Sequence, residues 1–323
     1  MNRDATSGAQ LTTRLRKGRG LRAGSKVAVF APASPADHPR THAGIAELQR
    51  LGFQVIPAAD KSSAGYFAGS SEERRKEFVD RMEEEQVEAL VALRGGYGST
   101  YLLDDQLATD LKKPRILIGF SDLTSIQIFL WQRLGWVTFY GPMIAAGFDA
   151  GAGASGGYDQ GSFLSAVTGT EGSWQLPLRG EIMRTGAAEG YIVGGAMTLV
   201  EATIGTSWEL DTRDAIVLLE DRGMKPYQLD RVLTHLKQAG KFDGVRGIVM
   251  GDFPDCEPPV AGSPTVQDIC ARILGDLRIP IVFGAPVGHT NRPMLTVPLG
   301  VRAVLHAKGE GTLEMMESAV VAP

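Results

Sequence analysis

The chain has 323 residues, 43% hydrophobic and 22% charged, the composition of a globular protein with room for two domains or one large one. A formal net charge of −4 carries no general affinity for polyanions, which excludes nucleic acid as the main partner. Two cysteines, Cys256 and Cys270, sit in no CxxC or Cys/His cluster, against a disulfide framework or structural zinc and in keeping with a reducing compartment.

Residues 1–20 are basic and lack an apolar stretch, so they read as a disordered tail and not as a secretory leader. No run reaches the ~18 apolar residues of a membrane span, and no membrane partner is expected. Residues 27–31 (VAVFA) form a short apolar run ending at Pro32, as a buried strand would. Helical spacing follows over 43–51, then a strand over 53–57 and a charged surface helix over 72–84. Residues 89–93 (ALVAL) are a third strand and run into Arg94-Gly95-Gly96-Tyr97-Gly98. The pattern continues with a helix over 100–107, a strand over 116–120, a helix over 124–134 and a strand over 137–140. Such alternation predicts a mostly parallel sheet wrapped by helices.

Residues 144–161 are rich in Gly, Ala and Ser and predict a flexible loop or the start of a linker. Beyond them, strands are expected over 215–219, 245–250 and 281–283, and helices over 228–238 and 266–277. Residues 295–316 alternate like antiparallel strands. The expected fold is α/β: an N-terminal parallel-sheet domain (21–145), a linker and glycine-rich loop (146–185), and a mixed, β-rich C-terminal domain (186–323).

Ligands of open α/β sheets bind beyond the carboxyl ends of the strands. Ser121, in Gly119-Phe120-Ser121-Asp122, lies at such an end just before a helix. A serine there is either a helix cap or a nucleophile on a sharp turn whose neighbouring amides stabilise an oxyanion. The second glycine of the GxSxG pattern is missing, and one residue can serve both purposes. The Arg94–Gly98 loop is either a tight turn or a backbone cradle for an anion, but matches neither GxGxxG nor a P-loop. A serine nucleophile needs a base and a group that orients it. Of five histidines, His289 sits in a turn-rich loop after a strand, and Glu220 closes the apolar run AIVLLE.

Five segments in order, ALRGGYGSTYLLD (92–104), IGFSDLT (118–124), FYGPM (139–143), LLEDRGMKPYQLDRVLTHL (218–236) and FGAPVGHTNRPMLTVPLG (283–300), resemble the bacterial LD-carboxypeptidases. These serine peptidases include muramoyl-tetrapeptide carboxypeptidases and microcin C immunity peptidases. The resemblance implies a nucleophile in the N-terminal domain and the other two triad members in the C-terminal one. On the matching positions it implies Ser121 as nucleophile, Glu220 as acid and His289 as base, with the Gly95 and Asp122 amides as oxyanion hole. Arg94, Gly96 and Tyr97 become candidate substrate-binding residues. No metal and no organic cofactor are implied. Two positions depart from the family: Tyr140 where His is frequent, and Ala196-Met197 where Asn-Leu is frequent.

The function so implied is hydrolysis of the L,D-bond before the terminal D-Ala of a muropeptide tetrapeptide stem, in cytoplasmic peptidoglycan recycling, by a homodimer. Two alternatives stand beside it. One is a microcin C immunity-type peptidase acting on a peptidyl or aminoacyl nucleotide. The other is a non-catalytic α/β protein whose glycine loop holds a phosphate or sugar.

Overall fold

The computed structural model describes residues 15–59, 63–169 and 172–323. Apolar strands come first, because a strand covered on both faces has no polar side to show. β1 (Lys26–Phe30), β2 (Gln54–Ile56), β3 (Ala89–Ala92), β4 (Ile116–Gly119) and β5 (Thr138–Tyr140) are parallel neighbours in the order β5-β4-β3-β1-β2. Every residue of β3, β4 and β5 is buried. The chain leaves β1 towards β2 and returns to the other side at β3. The switch point lies between β1 and β3, where such sheets open a crevice.

Helices α1 (His38–Arg50), α2 (Ser71–Glu83), α3 (Asp105–Asp110) and α4 (Thr124–Leu134) connect these strands. Asp37 caps α1 by accepting from the Arg40 amide, and Ser70 with Glu73 forms a capping box on α2. The helix expected over 100–107 is instead a 3-10 turn over Ser99–Leu102 followed by α3. Asp104 breaks it, because its side chain accepts from the Leu107 amide and starts a new helix there.

A second sheet holds β6 (Trp174–Pro177), β7 (Glu181–Arg184), β8 (Gly186–Ala196), β9 (Ala215–Glu220), β10 (Gly247–Gly251), β11 (Ile281–Ala285), β13 (Arg302–Ala307) and β14 (Thr312–Met315). The order is β6-β14-β13-β8-β9-β10-β11-β7, parallel from β8 to β11 and antiparallel outside them. β12 (Val297–Leu299) leaves this half and pairs antiparallel with β5, so the first sheet takes its edge strand from near the chain's far end. The remaining helices are α5 (Gln160–Thr168), α6 (Met197–Ala202), α7 (Pro226–Gln238) and α8 (Val266–Leu274).

α4 is buried from Thr124 through Trp131 because it lies between the two halves. Trp131 meets Tyr191 of β8 at 5.7 Å between ring centroids, and Phe129 meets Trp208 at 6.2 Å. The buried polar side chain of Gln127 in α4 is matched by donating to the Gly119 and Phe139 carbonyls, both at 3.0 Å.

Two expectations are corrected. Residues 144–161 are not a flexible linker: Phe148, Tyr158 and Phe163 form a buried aromatic cluster with centroids 4.8–5.8 Å apart. The segment is further bound to the 291–294 stretch by Asp159 N–H donating to the Met294 carbonyl (2.8 Å) and Ser155 Oγ to the Asn291 carbonyl (2.9 Å). Of the expected tail, residues 1–14 lie outside the described residues, but 15–20 are not loose. Arg16 exchanges backbone bonds with Gly135 and Val137, and Gly20 N–H donates to the Val321 carbonyl at 2.8 Å.

Candidate active site

Ser121 follows β4 with a φ of 63°, one of five non-glycine residues with positive φ among the described residues. A left-handed backbone costs an L-residue about 1–2 kcal/mol and marks a sharp turn held by its surroundings. The Ser121 side chain caps neither the 3-10 turn over Ser121–Leu123 nor α4. The capping reading therefore fails, and the hydroxyl is not consumed by the helix start.

The Arg94–Gly98 loop, from the end of β3, lies against this turn. A Cβ on Gly95 would stand 3.0 Å from Ser121 Cβ and 3.2 Å from its Oγ, so a larger residue would press on the serine. Asp122 is buried and holds the loop from the other side. Its carboxylate accepts from the Ser99 amide (2.8 Å), and its carbonyl accepts from Ser99 Oγ (2.5 Å). Burial pushes the Asp122 carboxyl above its usual range, opposed by the Ser99 and Gly98 donors and by the Arg74 charge. Buried Arg74 donates to the Gly98 carbonyl (2.8 Å) and to the Pro32 carbonyl, tying the loops after β1 and β3 together.

Glu220 ends β9 with no exposed surface. A buried carboxylate needs donors, and it has three: Tyr140 Oη to Oε1 (2.5 Å), and His289 N–H (2.9 Å) and ring Nδ1 (2.8 Å) to Oε2. Gly288, with φ 62°, lets the His289 loop this close, since a Cβ there would fall 2.4 Å from Glu220 Cδ. Nδ1 is occupied by the carboxylate, which leaves Nε2 as the ring's other nitrogen. The Phe120 ring stands edge-on to the His289 ring at 5.0 Å, so the residue preceding Ser121 touches the histidine. No hydrogen bond joins Ser121 Oγ to His289 among the described residues; such bonds are often long until substrate binds.

Sequence-predicted residues thus meet across the two sheets: Ser121, Asp122 and Gly95 from the first, Glu220 and His289 from the second. Arg94 is half-buried, with Nη1 donating to the Pro35 carbonyl at 3.4 Å. The Gly96 backbone rests on Ser34, whose Oγ accepts from the Tyr97 amide at 3.2 Å. The Tyr97 ring is exposed and packs with Phe67 and Tyr101 at 5.8 and 5.9 Å. The other placed histidines have separate surroundings: His38 faces His42 on α1, His235 pairs with Glu201, and His306 with Glu314. Among the described residues no group of three or more His, Cys, Asp or Glu could hold a metal ion.

Sequence reading missed three contributors. Tyr140 appeared only as a departure; its place at the end of β5, next to the β4 end that carries Ser121, is the signal that could have found it. Asp252 and Arg292 clamp the histidine loop. Arg292 grips both Asp252 oxygens and the Gly284 carbonyl, and donates to the Arg179 carbonyl at 3.0 Å. Nothing in the local pattern announces that pairing.

A two-sheet α/β scaffold with a strained serine joined through Tyr140 to a Glu–His pair defines a class that comparison makes specific. The LD-carboxypeptidase N-terminal domain model matches residues 27–141, and the LD-carboxypeptidase C-terminal domain model matches 189–305. The chain belongs to the LD-carboxypeptidase family and is a peptidase. It is 32% identical over 297 residues to the "Probable murein peptide carboxypeptidase" of Bacillus subtilis (strain 168), covering 90% of this chain and 91% of that one. The muramoyltetrapeptide carboxypeptidase structure from Oxalobacter formigenes superimposes with a TM-score of 0.79 at 28% identity, over 91% of this chain and 99% of that one. The microcin C7 self-immunity protein MccF, in complex with glutamyl sulfamoyl guanosine, shares the fold, with a TM-score of 0.82 at 23% identity over 94% and 99% of the two chains.

Proposed function

We propose that the protein is a serine LD-carboxypeptidase that removes the terminal D-Ala from muropeptide tetrapeptide stems, with peptidoglycan recycling in the cytoplasm as its setting. The observation that carries the reading is the unbroken contact from the Ser121 turn, through Tyr140, to Glu220 and His289. In this reading His289 Nε2 takes the Ser121 proton as Oγ attacks the scissile carbonyl. Glu220 fixes the tautomer and stabilises the imidazolium. The Gly95 and Asp122 amides receive the tetrahedral oxyanion. The imidazolium then gives its proton to the departing D-Ala amine. Water, deprotonated by the same histidine, hydrolyses the acyl-serine ester and restores the hydroxyl.

A carboxypeptidase must also read a free carboxylate. Arg94 is the proposed reader, since one of its nitrogens engages Pro35 and the planar fork has others to offer. The substrate reading draws on the relatives named for murein peptide and muramoyltetrapeptide carboxypeptidase activity. Free D-Ala is measured after incubation with a defined tetrapeptide stem, alongside processed microcin. Release from the stem, lost in Ser121→Ala, is expected. Cleavage of the nucleotide conjugate alone would transfer the protein to the immunity-type reading. No cleavage of either would return it to a binding role.

A further inference from the structure

Tyr140 has no exposed surface, and its hydroxyl sits where the two halves of the site meet. It donates to Glu220 Oε1 at 2.5 Å, and Tyr140 Oη itself accepts the amide N–H of Ser121 at 3.3 Å. Thr124, at the start of α4, accepts the Ala196 amide at 3.0 Å and so ties the nucleophile-side helix to β8. A buried hydroxyl that bonds both the nucleophile's backbone and the acid is not filling space.

We propose that Tyr140 is a positioning residue for catalysis: its hydroxyl holds the Glu220 carboxylate aimed at His289, and its oxygen holds the amide of the strained Ser121 turn. This rests on the Ser121–Glu220–His289 reading above. Oε2 carries both His289 bonds, and Oε1 accepts from Tyr140. Without it one oxygen of a fully buried carboxylate loses its donor. The titratable groups facing Glu220 are His289, Tyr140 and Asp221. Burial, and the Glu220 charge, hold the Tyr140 phenol well above its usual range, so it remains a donor throughout the working pH range. Asp221 stays engaged by Thr198 and the Arg222 amide.

Removing a donor from a carboxylate raises the proton affinity of the coupled Glu–His pair. Neutral imidazole is the working base, so the acid limb of the pH profile must move to higher pH. The test is the rate at which a fluorophosphonate, which reacts with activated serines without needing the natural substrate, labels position 121 across pH. In Tyr140→Phe the rate is expected to fall about 10- to 100-fold, the range for a lost bond to a charged group. The acid limb should rise by roughly half a pH unit or more. A lower rate with an unmoved limb means a merely structural tyrosine and overturns the proposal, as does an unchanged rate. Should Tyr140→Phe not fold, 3,5-difluorotyrosine at position 140 keeps the shape with a stronger donor. It must move the limb to lower pH, and an unmoved limb overturns the proposal. Wild-type protein unlabelled at Ser121 would instead sink the triad, and this inference with it.

Discussion

At Ser121 the backbone and the chemistry compete. A φ of 63° is unfavourable for serine and free for glycine. Ser121→Gly should therefore be more stable than Ser121→Ala by about 1 kcal/mol, with both inactive. Urea midpoints at equal slope measure this. Equal midpoints would mean that the turn is not strained. Asp122 makes a second prediction. Its folded pKa is raised, chiefly by burial. Between its unfolded value near ~4 and the raised folded value, the folded state therefore holds more protons, and stability declines as pH rises. Asp122→Asn lacks this decline, so its stability relative to wild type should climb with pH across that window. Urea titrations at several pH values check it, and a flat difference contradicts it. The residue scale also shows what sequence conveys: closing an apolar run or opening a turn made Ser121, Glu220 and His289 candidates, and only the family resemblance gave them roles. Tyr140 was not legible, because its role depends on which strand lies beside which.

At the scale of elements, the parallel strands were legible for a physical reason. Burial on both faces leaves runs such as ILIG and AIVLLE with no polar period to confuse them. β8 was not legible: its burial runs from exposed at Gly186 to buried at Ala196, and its glycines imitate a loop. The 144–161 segment misled in the same way, since composition cannot report the docking of Phe148 and Tyr158. The histidine loop is an element held by a clamp. Arg292 reaches both Asp252 oxygens, and Thr290 Oγ1 donates to Asp252 as well. Lysine cannot reproduce a two-nitrogen grip. Arg292→Lys is expected to lower kcat by about tenfold, a loss of roughly one charge-assisted bond. Amide hydrogen exchange over 286–294 should quicken in the same variant. Unchanged exchange would show that the clamp does not restrain the loop.

For the whole molecule, the decisive feature is how the halves are joined. β12 returns to the first sheet and pairs Val297 with Tyr140 and Leu299 with Thr138. The Thr296 amide donates to Ser162 Oγ at 3.1 Å, and the Ala196 amide to Thr124 Oγ1 at 3.0 Å. Phe129 against Trp208 continues the apolar core across the same boundary. A domain whose edge strand comes from the other half, and whose Tyr140 and Thr124 bond to Glu220 and Ala196 there, has no reason to unfold alone. The expected result is one cooperative transition. Trp131 and Trp136 belong to the first half, Trp174 and Trp208 to the second. Replacing either pair with Phe leaves fluorescence that reports one half at a time. Each variant's fluorescence curve in urea should overlay its own far-UV circular dichroism curve. A fluorescence midpoint separated from that curve in either variant would mean that the halves are independent. A site assembled across them would then depend on domain closure and not on the folded core.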